Sequence, residues 1–302
     1  MRVVITGACG LLGSHLAAGI AQKHRVFGID RHSWWGDRPV EILDGDLRNE
    51  DFCAAALAAT SPDVLIHCAA MVNVDACERD PSEAYRVNAG VTRTLARRLP
   101  RECILIYIAT DSVFAGDRAL AGESDLPCPR TVYARSKLHG EWEVQLAARH
   151  HLIVRTNFYG WSSGAKPTFG EWLYAALERG ESTVLFDDVY FTPIYVVDLV
   201  ESIAALVRGG HRGTFHVCGR ERVSKYGFAA ELARQAGFSI ETACRGSVDD
   251  APLVAPRSKD MSLDSHSFER AVGRELPGVT DGISRFLADR GRSLSERVAA
   301  SW

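Results

Sequence analysis

The chain contains no apolar segment that approaches the roughly 20 residues needed to cross a bilayer. It has no long basic run, and its net charge of -3 and pI of about 6.4 give no sign of a surface for nucleic acid. Its amino terminus has none of the basic stretch, long apolar core and small-residue cleavage site of a signal peptide. These absences predict a cytoplasmic protein with neither a membrane nor a nucleic acid as partner.

The eight cysteines include no Cys-x-x-Cys pair and no Cys/His spacing typical of a metal site. Scattered cysteines of this kind are typical of reduced thiols in the cytoplasm. We therefore expect neither a disulfide framework nor a bound metal. Hydrophobic residues make up 46% of the 302 residues, which is enough for a sizeable core in one or two domains.

What the chain does contain is a regular alternation of short apolar runs and amphipathic stretches through its first half. The apolar runs are continuous, which is typical of strands buried on both faces of a parallel sheet. Strands are predicted at 2–6, 25–30, 63–68, 103–109 and 152–156, and helices at 11–22, 49–59, 81–99 and 133–149. This order predicts an α/β fold with a doubly wound parallel sheet, a Rossmann fold.

The alternation becomes less regular after residue 156. Helices are predicted at 169–179, 196–207 and 224–237, with a strand at 213–217. We predict a dinucleotide-binding domain over 1–156 and a smaller, mainly substrate-binding region over 157–302, with the 190–217 segment returning to the first domain. Two long loops, 111–132 and 157–168, follow predicted strands, where a doubly wound sheet binds its ligand.

A glycine-rich turn joins the first predicted strand to the first predicted helix. Its glycines have G-x-x-G-x-x-G spacing, which permits a tight turn and lets the backbone approach a pyrophosphate. The helix that follows supplies unpaired N–H groups and a partial positive charge. The pattern predicts a dinucleotide cofactor held by Gly7, Cys9, Gly10, Leu11, Leu12 and Gly13.

Asp30 ends the second predicted strand. An acidic residue at this place hydrogen-bonds the adenosine ribose and repels a 2′-phosphate, which favours NAD(H). Arg31 follows directly and would suit a 2′-phosphate, so NADP(H) stays open. Further cofactor contacts are expected at Asp46, Leu47, Cys68, Ala69, Ala70 and Asn88.

Tyr133 and Lys137 form a Y-x-x-x-K pair on a predicted helix. Residues at i and i+4 share one helix face, and an ammonium beside a phenol lowers the pKa of that phenol. Tyr133 would then serve as an acid or base near neutral pH. Thr110 ends the preceding predicted strand, so its hydroxyl is expected at the same place.

Taken together, the glycine turn, Thr110, Tyr133 and Lys137 resemble the extended short-chain dehydrogenase/reductases, and the pattern spans most of the chain. More specific likeness to the dTDP-4-dehydrorhamnose reductase branch of that superfamily is carried by the segments 109–114, 133–141, 155–160 and 255–263. The resemblance therefore implies a nicotinamide-dependent oxidoreductase that often forms a homodimer.

The resemblance implies reduction of a keto group on a nucleotide-activated sugar, a 4-keto-6-deoxyhexose. It gives Thr110 a hydrogen bond to the carbonyl oxygen, Tyr133 the proton, and Lys137 the nicotinamide ribose. Arg257 would pair with the diphosphate of the nucleotide. The substrate contacts that it implies are Val72, Asp111, Ser112, Asn157, Thr192 and Arg257.

The chain departs from the wider superfamily at Ser112. Sugar-nucleotide dehydratases carry a glutamate at this position, so the absence of that glutamate disfavours dehydration. The reductase branch usually has an aromatic residue there, so the substrate pocket of this chain is expected to differ.

Two other functions stay open. One is a sugar-nucleotide epimerase with tightly bound NAD. The other is a non-catalytic, cofactor-binding regulatory subunit, as the β subunit of methionine adenosyltransferase resembles this branch.

Overall fold

The protein is described by a computed structural model over residues 1–34, 37, 40–162, 167–298 and 302. In these residues the strands are β1 Arg2–Thr6, β2 Arg25–Asp30, β3 Glu41–Asp44, β4 Val64–His67, β5 Ile104–Ile108, β6 His150–Arg155, β7 Phe158–Tyr159, β8 Thr183–Phe186, β9 Tyr190–Phe191, β10 Ile194–Tyr195, β11 Gly213–His216, β12 Val223–Ser224 and β13 Ala243–Gly246.

The α-helices of the same residues are α1 Leu11–Ile20, α2 Glu50–Thr60, α3 Val74–Arg79, α4 Pro81–Tyr85, α5 Val91–Arg98, α6 Val132–Ala147, α7 Phe169–Glu178, α8 Val196–Arg208, α9 Lys225–Ala236, α10 His266–Val272, α11 Val279–Ala288 and α12 Leu294–Arg297. Short 3₁₀ turns cover Asp111–Val113 and Val248–Asp250, and a π-helical turn covers Arg86–Gly90.

The centre of the fold is a seven-stranded sheet in the order β11-β6-β5-β4-β1-β2-β3, and all of its pairings are parallel. Strand order reverses between β1 and β4, since β2 lies on one side of β1 and β4 on the other. A doubly wound sheet opens a ligand crevice at the carboxyl ends of such strands. The predicted fold class is confirmed.

Helices cover both faces of this sheet, which is why its strands are continuous apolar runs. In β1, Val3 and Ile5 pack into a core shared with α1 and α8, whereas Val4 packs into a second core shared with α2 and α5. All three side chains are fully buried. Burial on both faces leaves the strand ends, with the loops that follow them, as the places open to a ligand.

The predicted helix at 81–99 is divided in the structure by the π-helical turn Arg86–Gly90. This turn holds one residue more than an α-helical turn. The Asn88 side chain within it is buried and bonds across to the backbone of Met71 and to Ser136. Helical periodicity alone does not reveal the interruption, because the contacts that stabilise it come from other parts of the chain.

Residues beyond 156 form three small two-stranded sheets, β10–β7, β12–β9 and β13–β8, and also supply β11 to the main sheet. The helix α8 packs against α1, on one face of that sheet. The domain division at 156 stays a prediction. Of the predicted loop at 157–168, residues 163–166 lie outside the described residues.

No helix in the described ranges is long and apolar enough to cross a membrane. A search of the same ranges finds no group of three or more His, Cys, Asp or Glu residues placed to hold a metal ion. The eight cysteines, all of which the structure describes, form no disulfide bond with one another.

Candidate active site

The glycine turn between β1 and α1 is closed so tightly that side chains would not fit. Gly7 has a φ of +67°, and a Cβ there would lie 2.9 Å from the backbone nitrogen of Ala69. A Cβ on Gly13 would lie 2.1 Å from the Gly7 carbonyl oxygen. Gly10 is exposed at the turn and donates its N–H to that same oxygen at 3.1 Å. The turn therefore presents bare backbone at the start of a helix, which fits a pyrophosphate.

The Asp30 carboxylate fastens this turn to the end of β2. It accepts the Cys9 N–H at 2.9 Å, and its other oxygen accepts the N–H groups of Arg31 at 2.7 Å and His32 at 3.1 Å. Only about a tenth of the Asp30 side chain is exposed, whereas Arg31 is exposed. The Asp30 carboxylate thus lies at the predicted ribose position, and the exposed Arg31 is the next residue in the chain.

Several other predicted cofactor contacts lie against the turn, at the start of α1 or directly after β4: Leu11, Leu12, Cys68, Ala69 and Ala70. The Ala69 N–H donates to the Thr6 hydroxyl at 3.3 Å, which joins the carboxyl ends of β1 and β4. The structure therefore brings these predicted residues to one edge of the sheet.

Asp46 and Leu47 follow β3 at the same edge. Asp46 forms an ion pair with Arg48, which also pairs with Glu83 at 2.7 Å. Hydrogen bonds from Arg48 lower the pKa of Asp46 to about 2. The Asp46 carboxylate is thus already bonded by protein groups, and its predicted contact with the cofactor stays a prediction.

Asn88 lies behind the crevice rather than in it. Its side-chain oxygen accepts the Met71 N–H at 2.8 Å, and its amide nitrogen donates to the Met71 carbonyl at 3.1 Å and to Ser136 at 2.9 Å. With the side chain buried and its groups bonded within the protein, Asn88 fixes the segment after β4 onto α6. Its predicted contact with the cofactor has no support in this geometry.

Tyr133 and Thr110 meet where β5 ends and α6 begins. Burial raises the pKa of the Tyr133 hydroxyl to about 12, the interaction with the Thr110 side chain opposes this rise, and the Asp111 charge adds to it. The phenol is therefore held in its protonated form.

Lys137 is buried one turn further along α6. Its ammonium donates to the Ile108 carbonyl oxygen at 2.8 Å and lies 4.2 Å from the Tyr107 ring centroid. Burial lowers the pKa of Lys137 to about 8. The expectation that Lys137 lowers the pKa of Tyr133 is wrong for this structure, because the ammonium is directed to the Ile108 backbone and burial dominates at Tyr133.

Asp111 connects the end of β5 with the loop after β6. Its carboxylate accepts hydrogen bonds from Thr110 at 3.1 Å, from Ser112 at 3.0 Å and from the Asn157 amide at 2.6 Å. Burial raises the pKa of Asp111, while the Asn157 bond and the charge of Lys225 oppose that rise. Three predicted substrate contacts, Asp111, Ser112 and Asn157, are thus brought together beside Tyr133.

The other predicted substrate contacts are spread more widely. Val72 is exposed in the segment after β4. Thr192 is buried, and its hydroxyl accepts the Leu263 N–H at 3.1 Å. Arg257 pairs with Asp75 of α3 at 2.9 Å. The Thr192 hydroxyl therefore holds the 255–263 segment in place, whereas Val72 and Arg257 remain reachable from solvent.

Sequence reasoning missed Lys225, the first residue of α9. Its ammonium lies over the Phe191 ring, 3.2 Å from the centroid, and it shares an electrostatic interaction with Asp111. One feature of the sequence could have indicated Lys225, because a cation in the first turn of a helix is unfavourable with respect to the helix dipole.

Comparison with known proteins places this arrangement in a family. A family model described as the RmlD substrate binding domain matches residues 1–291. The chain belongs to the RmlD substrate-binding domain family. The predicted resemblance to the dTDP-4-dehydrorhamnose reductase branch is confirmed, because a relative from Mycobacterium tuberculosis named dTDP-4-dehydrorhamnose reductase is 35% identical over 301 residues, covering 97% of this chain and 95% of that protein.

Two further relatives of this RmlD-family chain bear on cofactor and function. The crystal structure of dTDP-4-dehydrorhamnose reductase from Bacillus anthracis in complex with NADP superposes with a TM-score of 0.86 at 27% identity, covering 95% of this chain and 99% of that one. The rat methionine adenosyltransferase 2 subunit beta is 28% identical over 318 residues, covering 96% of this chain and 89% of that protein. The chain is thus similar both to a reductase and to a subunit of a methionine adenosyltransferase.

Proposed function

We propose that this protein is a reductase of the keto group of a nucleotide-linked sugar, a 4-keto-6-deoxyhexose, and that it uses a nicotinamide cofactor. The observation that carries the proposal is the position of Thr110 at the carboxyl end of β5, where α6 with Tyr133 packs against the same strand end, on the sheet edge that also bears the glycine turn. Relatives named dTDP-4-dehydrorhamnose reductase support the sugar-nucleotide class of substrate.

Each catalytic side chain has one task. Tyr133, which burial keeps protonated, gives its proton to the keto oxygen of the substrate. Thr110 donates a second hydrogen bond to that oxygen, for which its hydroxyl turns away from Asp111. Lys137 is fixed by the Ile108 carbonyl and holds the ribose of the cofactor beside Tyr133.

The cofactor would supply the hydride. The glycine turn of residues 7–13 would bind its pyrophosphate, Asp30 and Arg31 would bind its adenosine ribose, and residues 68–70 would contact its nicotinamide half. The fit of these residues rests on the bare backbone at Gly7 and Gly13, where a Cβ would collide with neighbouring main chain.

The sugar nucleotide would lie between the two regions of the chain. Asp111, Ser112 and Asn157, joined by hydrogen bonds, face the hexose, while Arg257 reaches the diphosphate. Val72 borders the opening, and Thr192 acts through the 255–263 segment. A homodimer and a cytoplasmic location stay predictions.

The deciding experiment is a panel of nucleotide-linked 4-keto sugars, each tested for oxidation of NADH and of NADPH at 340 nm. Turnover of at least one member, with the matching reduced sugar identified by mass spectrometry, is expected. Tight cofactor binding without turnover of any member would instead favour a non-catalytic subunit, and the rat relative at 28% identity is named a subunit of methionine adenosyltransferase 2.

We expect NADH to bind more tightly than NADPH, because the Asp30 carboxylate at the end of β2 repels a 2′-phosphate. Calorimetric titration of the protein with both cofactors measures the difference. Asp30→Ala should reduce the difference between the NADH and NADPH affinities. Arg31→Ala serves as the matched control at the adjacent position. A clear preference of the parent for NADPH would contradict the prediction and assign the phosphate to Arg31.

We also expect no dehydration of a nucleotide-linked glucose. Ser112 stands where a dehydratase has its glutamate base, and its hydroxyl is already bonded to Asp111 at 3.0 Å. Incubation with dTDP-glucose and NAD, followed by chromatography, should therefore yield no 4-keto-6-deoxy product. Accumulation of that product would show that another residue of the site replaces the glutamate.

A further inference from the structure

Lys225 combines two features that are each unfavourable for an ammonium group. It is the first residue of α9, where the helix dipole repels a cation. It is only partly exposed, and burial lowers its pKa to about 8. A lysine kept under such conditions indicates a role in a site rather than in stability.

Aromatic rings fix the position of this ammonium. The Lys225 Nζ lies 3.2 Å from the centroid of the Phe191 ring and 4.7 Å from that of Phe169. Such contacts attract a cation but satisfy none of its N–H donors. In the part of the chain that the structure describes, the ammonium makes no hydrogen bond or ion pair with another residue.

The negative charge that Lys225 faces is Asp111. Asp111 raises the pKa of Lys225, and Lys225 in turn lowers that of Asp111. Asp111 is bonded to Thr110, which meets the Tyr133 hydroxyl. The ammonium on α9 and the carboxylate on the loop after β5 are therefore near enough to interact electrostatically, and the same carboxylate acts on the proton donor Tyr133.

We propose that Lys225 is a specificity-determining residue whose ammonium donates a hydrogen bond to an oxygen of the sugar ring, with that ring held between Lys225 and Asp111. The inference rests on the proposed function and deepens it by assigning a sugar contact to the carboxy-terminal region. A sugar hydroxyl or ring oxygen fits better than the diphosphate, since Lys225 faces the Asp111 carboxylate, whose charge would repel an adjacent phosphate.

The test compares two probes, dTDP-glucose and dTDP, which share the nucleoside diphosphate and differ in the sugar and in the charge of the terminal phosphate. Their affinities are measured by calorimetry in the presence of NADH, for the parent and for Lys225→Met, which keeps the side-chain length and packs on aromatic rings. We expect the variant to bind dTDP-glucose about 10- to 100-fold more weakly, the range for loss of a charged hydrogen bond, and to bind dTDP as the parent does. Lys23→Met, at an exposed lysine after α1, is the matched control.

An equal loss of affinity for both probes would assign Lys225 to the diphosphate and overturn the proposal. Unchanged affinities for both probes would also overturn it, since the Lys225 side chain would then serve only in packing. Should Lys225→Met lower the melting temperature or the NADH affinity, Lys225→Gln, which stays polar but removes the charge, is used in the same comparison and should also weaken the binding of dTDP-glucose more than that of dTDP. A parent that binds dTDP-glucose but reduces no keto sugar would defeat the proposed function alone. A parent that binds neither probe would defeat both.

Discussion

Tyr133→Phe is expected to lower kcat by about 10²- to 10⁴-fold, the range for loss of a general acid. The ring and the cofactor crevice remain, so the affinity for the cofactor should stay that of the parent. The reason is that burial keeps the Tyr133 phenol protonated beside Thr110, and phenylalanine has no proton to give. Steady-state kinetics on the accepted keto sugar, with cofactor titration in parallel, measures both quantities.

Tyr174→Phe is the matched control for this experiment. It also removes a hydroxyl that is hydrogen-bonded, in this case to Arg290 at 2.6 Å, and it lies on α7, outside the site. Its kcat should equal that of the parent. Lys137→Ala should lose cofactor affinity as well as rate. Parent-like reduction of every accepted ketone by Tyr133→Phe would show that another group is the acid.

Glu141→Met is expected to lower the free energy of unfolding by about 3–5 kcal/mol, the usual cost of breaking a buried ion pair. Glu141 of α6 and Arg155 at the end of β6 are both buried, and their side chains bond at 2.7, 3.0 and 3.2 Å. Without the carboxylate, the guanidinium stays in the interior with no compensating charge. Urea unfolding followed by circular dichroism measures the change.

The double variant Glu141→Met/Arg155→Met tests the cause. Removal of both charges leaves an apolar pair, which is often neutral for stability or better. We expect most of the loss to be recovered. If the double variant were as unstable as the sum of the two single ones, the pair would not interact energetically and the loss would reflect packing.

Much of the first half of the chain could be predicted from the sequence, because the sequence patterns that determine its elements are local. The glycine spacing at 7–13 and the continuous apolar strands each act over a few residues, and the structure places them as predicted. The Y-x-x-x-K spacing likewise put Tyr133 and Lys137 on one helix. The effect of Lys137 on Tyr133 was not predictable, because the Ile108 carbonyl that takes the ammonium lies in β5.

The second half was harder to predict because its elements are short and held by distant partners. Strands such as Phe158–Tyr159 and Ile194–Tyr195 are too short for an alternating pattern, and they exist because they pair with each other. Lys225 lies in a helix that the sequence predicts in full, but its contacts with Phe191 and Asp111 come from parts of the chain that no spacing connects to it.

Lys137 and the glycine turn are each held by one hydrogen-bond acceptor, and the two acceptors differ in whether a single substitution can remove them. The Lys137 ammonium is held by a main-chain carbonyl, so every replacement of the Ile108 side chain that preserves β5 also preserves the acceptor. The glycine turn is held by the Asp30 carboxylate, which a single codon change removes. Divergence within such a lineage should therefore alter the choice of cofactor more readily than the placement of the lysine.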